Sequence, residues 1–350
     1  MRRRHFFKTA AQCAALHAAA PWAALFPQHS AMPDSKRLLK PARLQAGMTI
    51  GLIAPASPFS PEKLEATRRN MAALGLSILE GPNLHARMGY LAGSDAQRLA
   101  DLHWAFQNPD VDAVWCIRGG YGCARLLPEV DYDLVRQNPK PFIGYSDITA
   151  LHLAIQQRAR LVTFHGPVGA SDFPESTLRH FRAALMEPVE GYTLRVPDAT
   201  ETLPGDEYRP FLIRPGRAEG VLTGGNLTLL AALVGTPFAP SYRGKIVFIE
   251  DVGEQPYRID RMLVQLLQGS DLGEAAGIAL GVFADCRPKG ESPSLSLEET
   301  LRLCLGPLSM PVLHGIPFGH VPQQATFAYG MRAALDADAG TLQFLESGVD

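Results

Sequence analysis

Three stretches place a hydroxyl, a carboxylate and an imidazole at points where an apolar run meets a chain-turning residue. In Phe142-Ile143-Gly144-Tyr145-Ser146-Asp147-Ile148-Thr149 an apolar strand enters a tight turn and then a helix, with Ser146 at the turn. Such an elbow lifts Oγ out of the sheet, and the next amide, Asp147, sits at a helix N-terminus that favours developing negative charge. Helix capping by Ser146 or Asp147 accounts for the same residues, and the usual G-x-S-x-G string is absent because Ile148 stands at its last position. In Lys245-Ile246-Val247-Phe248-Ile249-Glu250-Asp251 two carboxylates close an apolar strand; they could orient a histidine, or simply be solvated. In Gly315-Ile316-Pro317-Phe318-Gly319-His320 an imidazole follows a Gly/Pro loop, a setting suited to a general base.

Further segments bear on binding. Arg118-Gly119-Gly120-Tyr121-Gly122 follows an apolar strand, and its glycines allow close backbone approach to an anion; a tight turn explains them too. It is not a dinucleotide fingerprint, and no phosphate-binding loop motif occurs. Glu254, Arg258, Asp260 and Arg261 suit ion pairing around a helix start as well as ligand binding. His314 and His320 lack a third ligand at zinc spacing, and Cys116 with Cys123 lacks a second tight pair, so neither a metal nor a cofactor is predicted.

The elements that must position these groups read as α/β. Strands at 48–55, 76–79, 113–117, 142–144 and 161–164 alternate with helices, including 94–107 behind Ser94 as N-cap and 148–158, which predicts a mainly parallel N-terminal sheet over 45–185. Residues 186–219 are rich in Pro, Gly and charge and read as a surface connection. Over 220–350 a helix behind Gly224-Gly225-Asn226, a strand at 245–249, an amphipathic helix carrying Ile259, Met262, Leu263, Leu266 and Leu267, and apolar segments at 277–283 and 341–345 predict a second, mixed α/β domain.

Of 350 residues 46% are hydrophobic, enough for one large or two medium cores. A formal net charge of -2 argues against nucleic acid as the partner. Arg2-Arg3-Arg4-His5-Phe6-Phe7-Lys8 precedes a modestly apolar, Ala-rich run to about Phe26, which resembles a twin-arginine export signal within residues 1–34. A periplasmic protein without stable membrane insertion after signal removal is expected; a retained anchor or a cytoplasmic location is the alternative.

Taken together, Gly51 to Ser57, Arg118 to Gly122, Asn138 to Thr149, Gly224 to Leu227, Glu250-Asp251 with Pro256 to Arg261, and Gly315 to His320 resemble the LD-carboxypeptidase (muramoyltetrapeptide carboxypeptidase) family of serine peptidases, which includes microcin C immunity peptidases. The resemblance implies Ser146 as nucleophile, Glu250 and His320 as its partners, and an oxyanion hole from the Asp147 amide and a glycine amide, Gly120 ahead of Gly119. It further implies release of D-alanine from murein tetrapeptides, no cofactor, and a homodimer acting on peptidoglycan-derived peptides. Arg118 and Arg258 are the weaker candidates for binding substrate. A related peptidase acting on another peptide-like amide, or a non-catalytic cell-wall-peptide binding protein, is the alternative.

Overall fold

The structure, a computed structural model, describes residues 38–198, 204–290 and 292–350. The export-signal expectation falls on residues 1–34, outside the described ones. No helix among the described residues is long and apolar enough to cross a membrane.

The N-terminal half carries strands β1 (Thr49–Ile53), β2 (Ser77–Glu80), β3 (Ala113–Cys116), β4 (Phe142–Gly144) and β5 (Phe164–His165). Between and after them run helices α1 (Pro61–Ala73), α2 (Asp95–Gln107), α3 (Tyr132–Gln137), α4 (Thr149–Arg158) and α5 (Glu175–Phe181). The C-terminal half adds β6 (Thr193–Arg195), β7 (Phe211–Arg214), β8 (Arg217–Asn226), β9 (Ile246–Val252), β10 (Gly277–Ala284), β11 (Val312–Gly319), β12 (Phe327–Ala328), β13 (Arg332–Asp336) and β14 (Thr341–Phe344), with α6 (Leu227–Leu233), α7 (Pro256–Gly269) and α8 (Leu297–Leu305).

The first sheet runs β12-β5-β4-β3-β1-β2 and is parallel except for β12. Ala113, Val114, Trp115 and Cys116 are all buried, as a central strand covered on both faces requires. The order reverses between β1 and β3, and in open α/β sheets ligands bind beyond the carboxyl ends of the strands at that switch point. Pro55-Ala56-Ser57 leave β1 there, and Arg118-Gly119-Gly120 leave β3.

The second sheet runs β6-β14-β13-β8-β9-β10-β11-β7, with β8 to β11 mutually parallel and the flanking strands antiparallel. The segment 186–219, read in the sequence as a surface connection, instead supplies both edge strands, β6 and β7, and the start of β8. Its short apolar runs are interrupted by Pro and Gly, which conceals them from periodicity. The apolar stripe of α7 buries Ile259, Leu263 and Leu266, as the spacing predicts.

The two sheets belong to one compact unit. β12 crosses from the C-terminal half to pair with β5. Gly225 passes so close to α4 that an added Cβ would lie 2.3 Å from Thr149 Cγ2, and the Asn226 amide donates to Thr149 Oγ1 at 3.1 Å. One hydrophobic core runs continuously through both halves.

Candidate active site

Ser146 follows β4 with φ at 65°, a left-handed conformation that a non-glycine residue adopts at a cost. That geometry is the strained elbow inferred from the sequence. Gly144 makes it possible, since a Cβ there would press to 3.0 Å against the Ile148 side chain. A short 3-10 turn, Ser146–Ile148, then leads into α4. The chain around Ser146 is therefore both an elbow and a helix entry, but no side-chain cap bond forms there.

Across the cleft, Glu250 near the carboxyl end of β9 is fully buried. His320 comes immediately after β11, so Gly315 to Gly319, read in the sequence as a loop, belong to a strand. The pairing of β11 with β10 slips between His314 and Gly319, five residues set against the two-residue step from Leu280 to Val282. The slack carries His320 back over β10 towards β9. Gly319 must lack a side chain, because a Cβ would approach Glu250 Oε2 to 3.0 Å, and its φ of 108° also favours glycine.

His320 Nδ1 lies 2.7 Å from Glu250 Oε2, and its Nε2 lies 3.1 Å from Ser146 Oγ. An ionised carboxylate can only accept, so Nδ1–H donates to Glu250 and leaves Nε2 free to accept from the serine hydroxyl. Burial opposes charge on the imidazole, but the Glu250 charge and hydrogen bond, aided by Asp251, outweigh it and hold His320 above its ordinary pKa. The Tyr145 ring packs on His320 with centroids 4.8 Å apart. Asp251, the alternative carboxylate in the sequence, is spent elsewhere: it accepts from Asn226 Nδ2 and from the amide and hydroxyl of Thr228. Burial, then the neighbouring Glu250, raises its pKa to about 6.

The glycine loop meets the elbow from the side. A Cβ on Gly119 would lie 3.0 Å from Ser146 Cβ and 3.3 Å from Oγ, whereas one on Gly120 would strike Ser57. Gly119, placed second by the sequence reading, is thus the glycine against the serine. Neither of these amides nor that of Asp147 donates to a backbone acceptor among the described residues. The buried Asp147 carboxylate accepts from the Cys123 amide at 2.8 Å, tying loop to elbow. Burial raises the Asp147 pKa, against hydrogen bonds that lower it.

Arg98 was missed by the sequence reading. Fully buried on α2, it donates to Gly122 O at 3.0 Å and to Pro55 O, bracing both loops at the switch point, and it pairs with Asp95. An arginine one turn before Leu102 on an apolar stripe was the available signal. Arg118 donates to Pro58 O at 2.9 Å beside Gly119. Arg258, by contrast, is engaged with Glu254 and Tyr257 on the exposed side of α7, and among the described residues no hydrogen bond or ion pair joins it to Ser146, Glu250 or His320. His314 lies in the core against Phe211, its Nδ1 3.2 Å from Arg209 O. Cys116, Cys123, Cys286 and Cys304 are free thiols.

A cavity of about 800 Å³ is lined by Val321 but by none of Ser146, Glu250 and His320. Val282, Pro317 and Leu194 give it apolar walls, and Arg179, Arg195 and Gln323 add polar groups.

Residues 50–166 match the family model of the LD-carboxypeptidase N-terminal domain, and residues 219–335 that of the C-terminal domain. The chain is 42% identical over 315 residues to a probable murein peptide carboxypeptidase of Bacillus subtilis (strain 168), covering 89% of this chain and 95% of that one. It is 40% identical over 299 residues to the murein tetrapeptide carboxypeptidase of Pseudomonas aeruginosa, covering 83% and 93%. Among solved structures it resembles the muramoyltetrapeptide carboxypeptidase of Oxalobacter formigenes, with a TM-score of 0.73 and 30% identity over 86% of this chain and 99% of that one. Matched along both halves in the same order, the chain belongs to the LD-carboxypeptidase family and is a serine-type peptidase.

Proposed function

We propose that this enzyme removes the terminal D-alanine from murein tetrapeptides through an acyl-enzyme on Ser146. The observation that carries the reading is the unbroken chain from Glu250 through His320 to Ser146 Oγ, at 2.7 and 3.1 Å. His320 Nε2 takes the hydroxyl proton as Oγ attacks the carbonyl of the third residue, while buried Glu250 steadies the imidazolium. The amides of Asp147 and Gly119 face the developing oxyanion, each worth about 3 kcal/mol in the transition state. Protonated His320 then hands its proton to the departing amine of D-alanine, and water enters by the same base to release the tripeptide.

The names of two of the relatives at 40–42% identity favour murein peptides over another peptide-like amide. The reading extends to two domains, 45–185 bearing the nucleophile and 220–350 bearing acid and base, and to pairing of two such chains as a homodimer. Export by the twin-arginine pattern at Arg3-Arg4-His5-Phe6-Phe7-Lys8 to the periplasm is part of the same proposal.

The test is D-alanine release by purified protein from free tetrapeptide, disaccharide tetrapeptide and intact sacculi. Release from at least one of them, reduced by about 10⁴-fold or more in Ser146→Ala, is the expected result. No D-alanine from any of the three contradicts the assignment.

A further inference from the structure

We propose that Arg118 and Lys63 form the subsite that receives the free carboxylate of the substrate's last residue. This rests on the carboxypeptidase reading above and names the residues that would make the enzyme specific for a chain end.

Arg118 directly precedes the glycine lying against Ser146. Its Nη1 is fixed by Pro58 O at 2.9 Å, and its Nη2 lies 3.4 Å from where a Gly120 side chain would begin, beside Ser57. Ser57 Oγ accepts from the Tyr121 amide at 3.1 Å, so the loops leaving β1 and β3 are joined at the guanidinium. This is the crevice of the topological switch point, where the sheet order itself directs ligands. The same stretch of chain continues from Pro58, which Arg118 grips, through Ser60, whose carbonyl accepts from the Lys63 amide, to the exposed Lys63 in the first turn of α1; partial burial first and the Arg118 charge second lower the Lys63 pKa.

Two cations brought together cost free energy unless an anion joins them. Neither has an ion-pair partner within 4 Å among the described residues, unlike Arg68, which pairs with Glu65 and Glu80, and Arg125, which pairs with Asp95. Glu62, the acid next to Lys63, turns back to Ser60 instead. The chemistry of the reaction supplies the missing anion. In a terminal D-alanine only the α-carbon separates the scissile nitrogen from the carboxylate, so with the carbonyl oxygen at the Asp147 and Gly119 amides, that carboxylate falls within a side chain's length of Ser146. A planar guanidinium held at one nitrogen presents the others to a carboxylate, and a mobile ammonium completes its neutralisation.

The test compares the free tetrapeptide with the same peptide ending in a carboxamide, using native enzyme, Lys63→Ala, Arg118→Ala and Arg118→Lys. Native enzyme should prefer the acid by about 100-fold or more in kcat/KM. Lys63→Ala should cut that preference about 10-fold, chiefly through KM, and Arg118→Ala should abolish most of it, with Arg118→Lys between. Lys63 is exposed, so its variant keeps the test open should Arg118→Ala disturb the loop. Equal cleavage of acid and amide by native enzyme, or variants that lose the same factor on both, overturns the subsite while leaving the carboxypeptidase standing. Absence of D-alanine release by native enzyme overturns the reading beneath it.

Discussion

At the scale of single residues, the proposed chemistry rests on one imidazole held between a buried carboxylate and a strained serine. His320 is only 19% exposed in its side chain and Glu250 not at all, so their attraction is little screened by solvent. With its pKa raised, His320 is neutral, and able to act as base, only above its displaced value. The rising limb of kcat/KM against pH should therefore lie above the ordinary histidine value of 6.5. Glu250→Gln removes the charge that raises it. The limb should then move to lower pH, while the plateau falls by about 10²-fold or more because the tautomer is no longer enforced. Rate profiles from about pH 5 to 9 decide this; an unmoved limb contradicts the role given to Glu250.

At the scale of elements, backbone approach decides whether these residues meet. Gly225, with φ at 137° and no room for a Cβ against Thr149, lets β8 run beneath the elbow. Gly225→Ala should cost on the order of 2 kcal/mol or more and lower kcat by separating Ser146 from His320. Denaturant unfolding with kinetics on the residual folded enzyme reads both, and an unchanged midpoint contradicts the packing described. Much at this scale was legible in the sequence. The strands around β1, β3 and β4, the N-cap Ser94 and the stripe of α7 follow from propensity and period. Edge strands β6 and β7 were not, because each is short and set among turn residues. Nor was β12, whose two residues pair only through tertiary contact. Ser146, Glu250 and His320 each kept a bland explanation until family resemblance linked them, since no local pattern encodes contacts across 70 and 174 residues.

At the scale of the molecule, the seam between the two sheets is both the catalytic frame and a liability in acid. His165 is fully buried at that seam, stacked on Phe327 with centroids 4.9 Å apart and edge-on to Phe248, Phe318 and Tyr145. Both ring nitrogens lack partners among the described residues, and burial pushes its pKa well below 6.5. A depressed histidine contributes stability that is complete above the unfolded value and is lost as pH falls towards the folded one. His152, lowered to about 3, and His314, lowered to about 4, act in the same direction. Asp251, raised to about 6, acts in the opposite sense, its contribution being lost as pH rises through that value. His165→Phe, which fits the aromatic box, should flatten the loss of stability between about pH 6.5 and 4.5; melting curves as steep in pH as those of native enzyme contradict this. Export belongs to this scale too: mass spectrometry of the mature N-terminus from a twin-arginine-competent host should find residues up to about position 34 removed, and retained Met1 in a cytoplasmic pool contradicts it. The catalytic expectations depend on one proposed covalent step, acylation of Ser146 by the substrate. Rapid acid quench of enzyme with tetrapeptide, followed by peptide mapping, should find the mass of the acyl tripeptide on the fragment containing Ser146, and none in Ser146→Ala. An acyl group on another residue, or D-alanine release by Ser146→Ala at the native rate, contradicts the account.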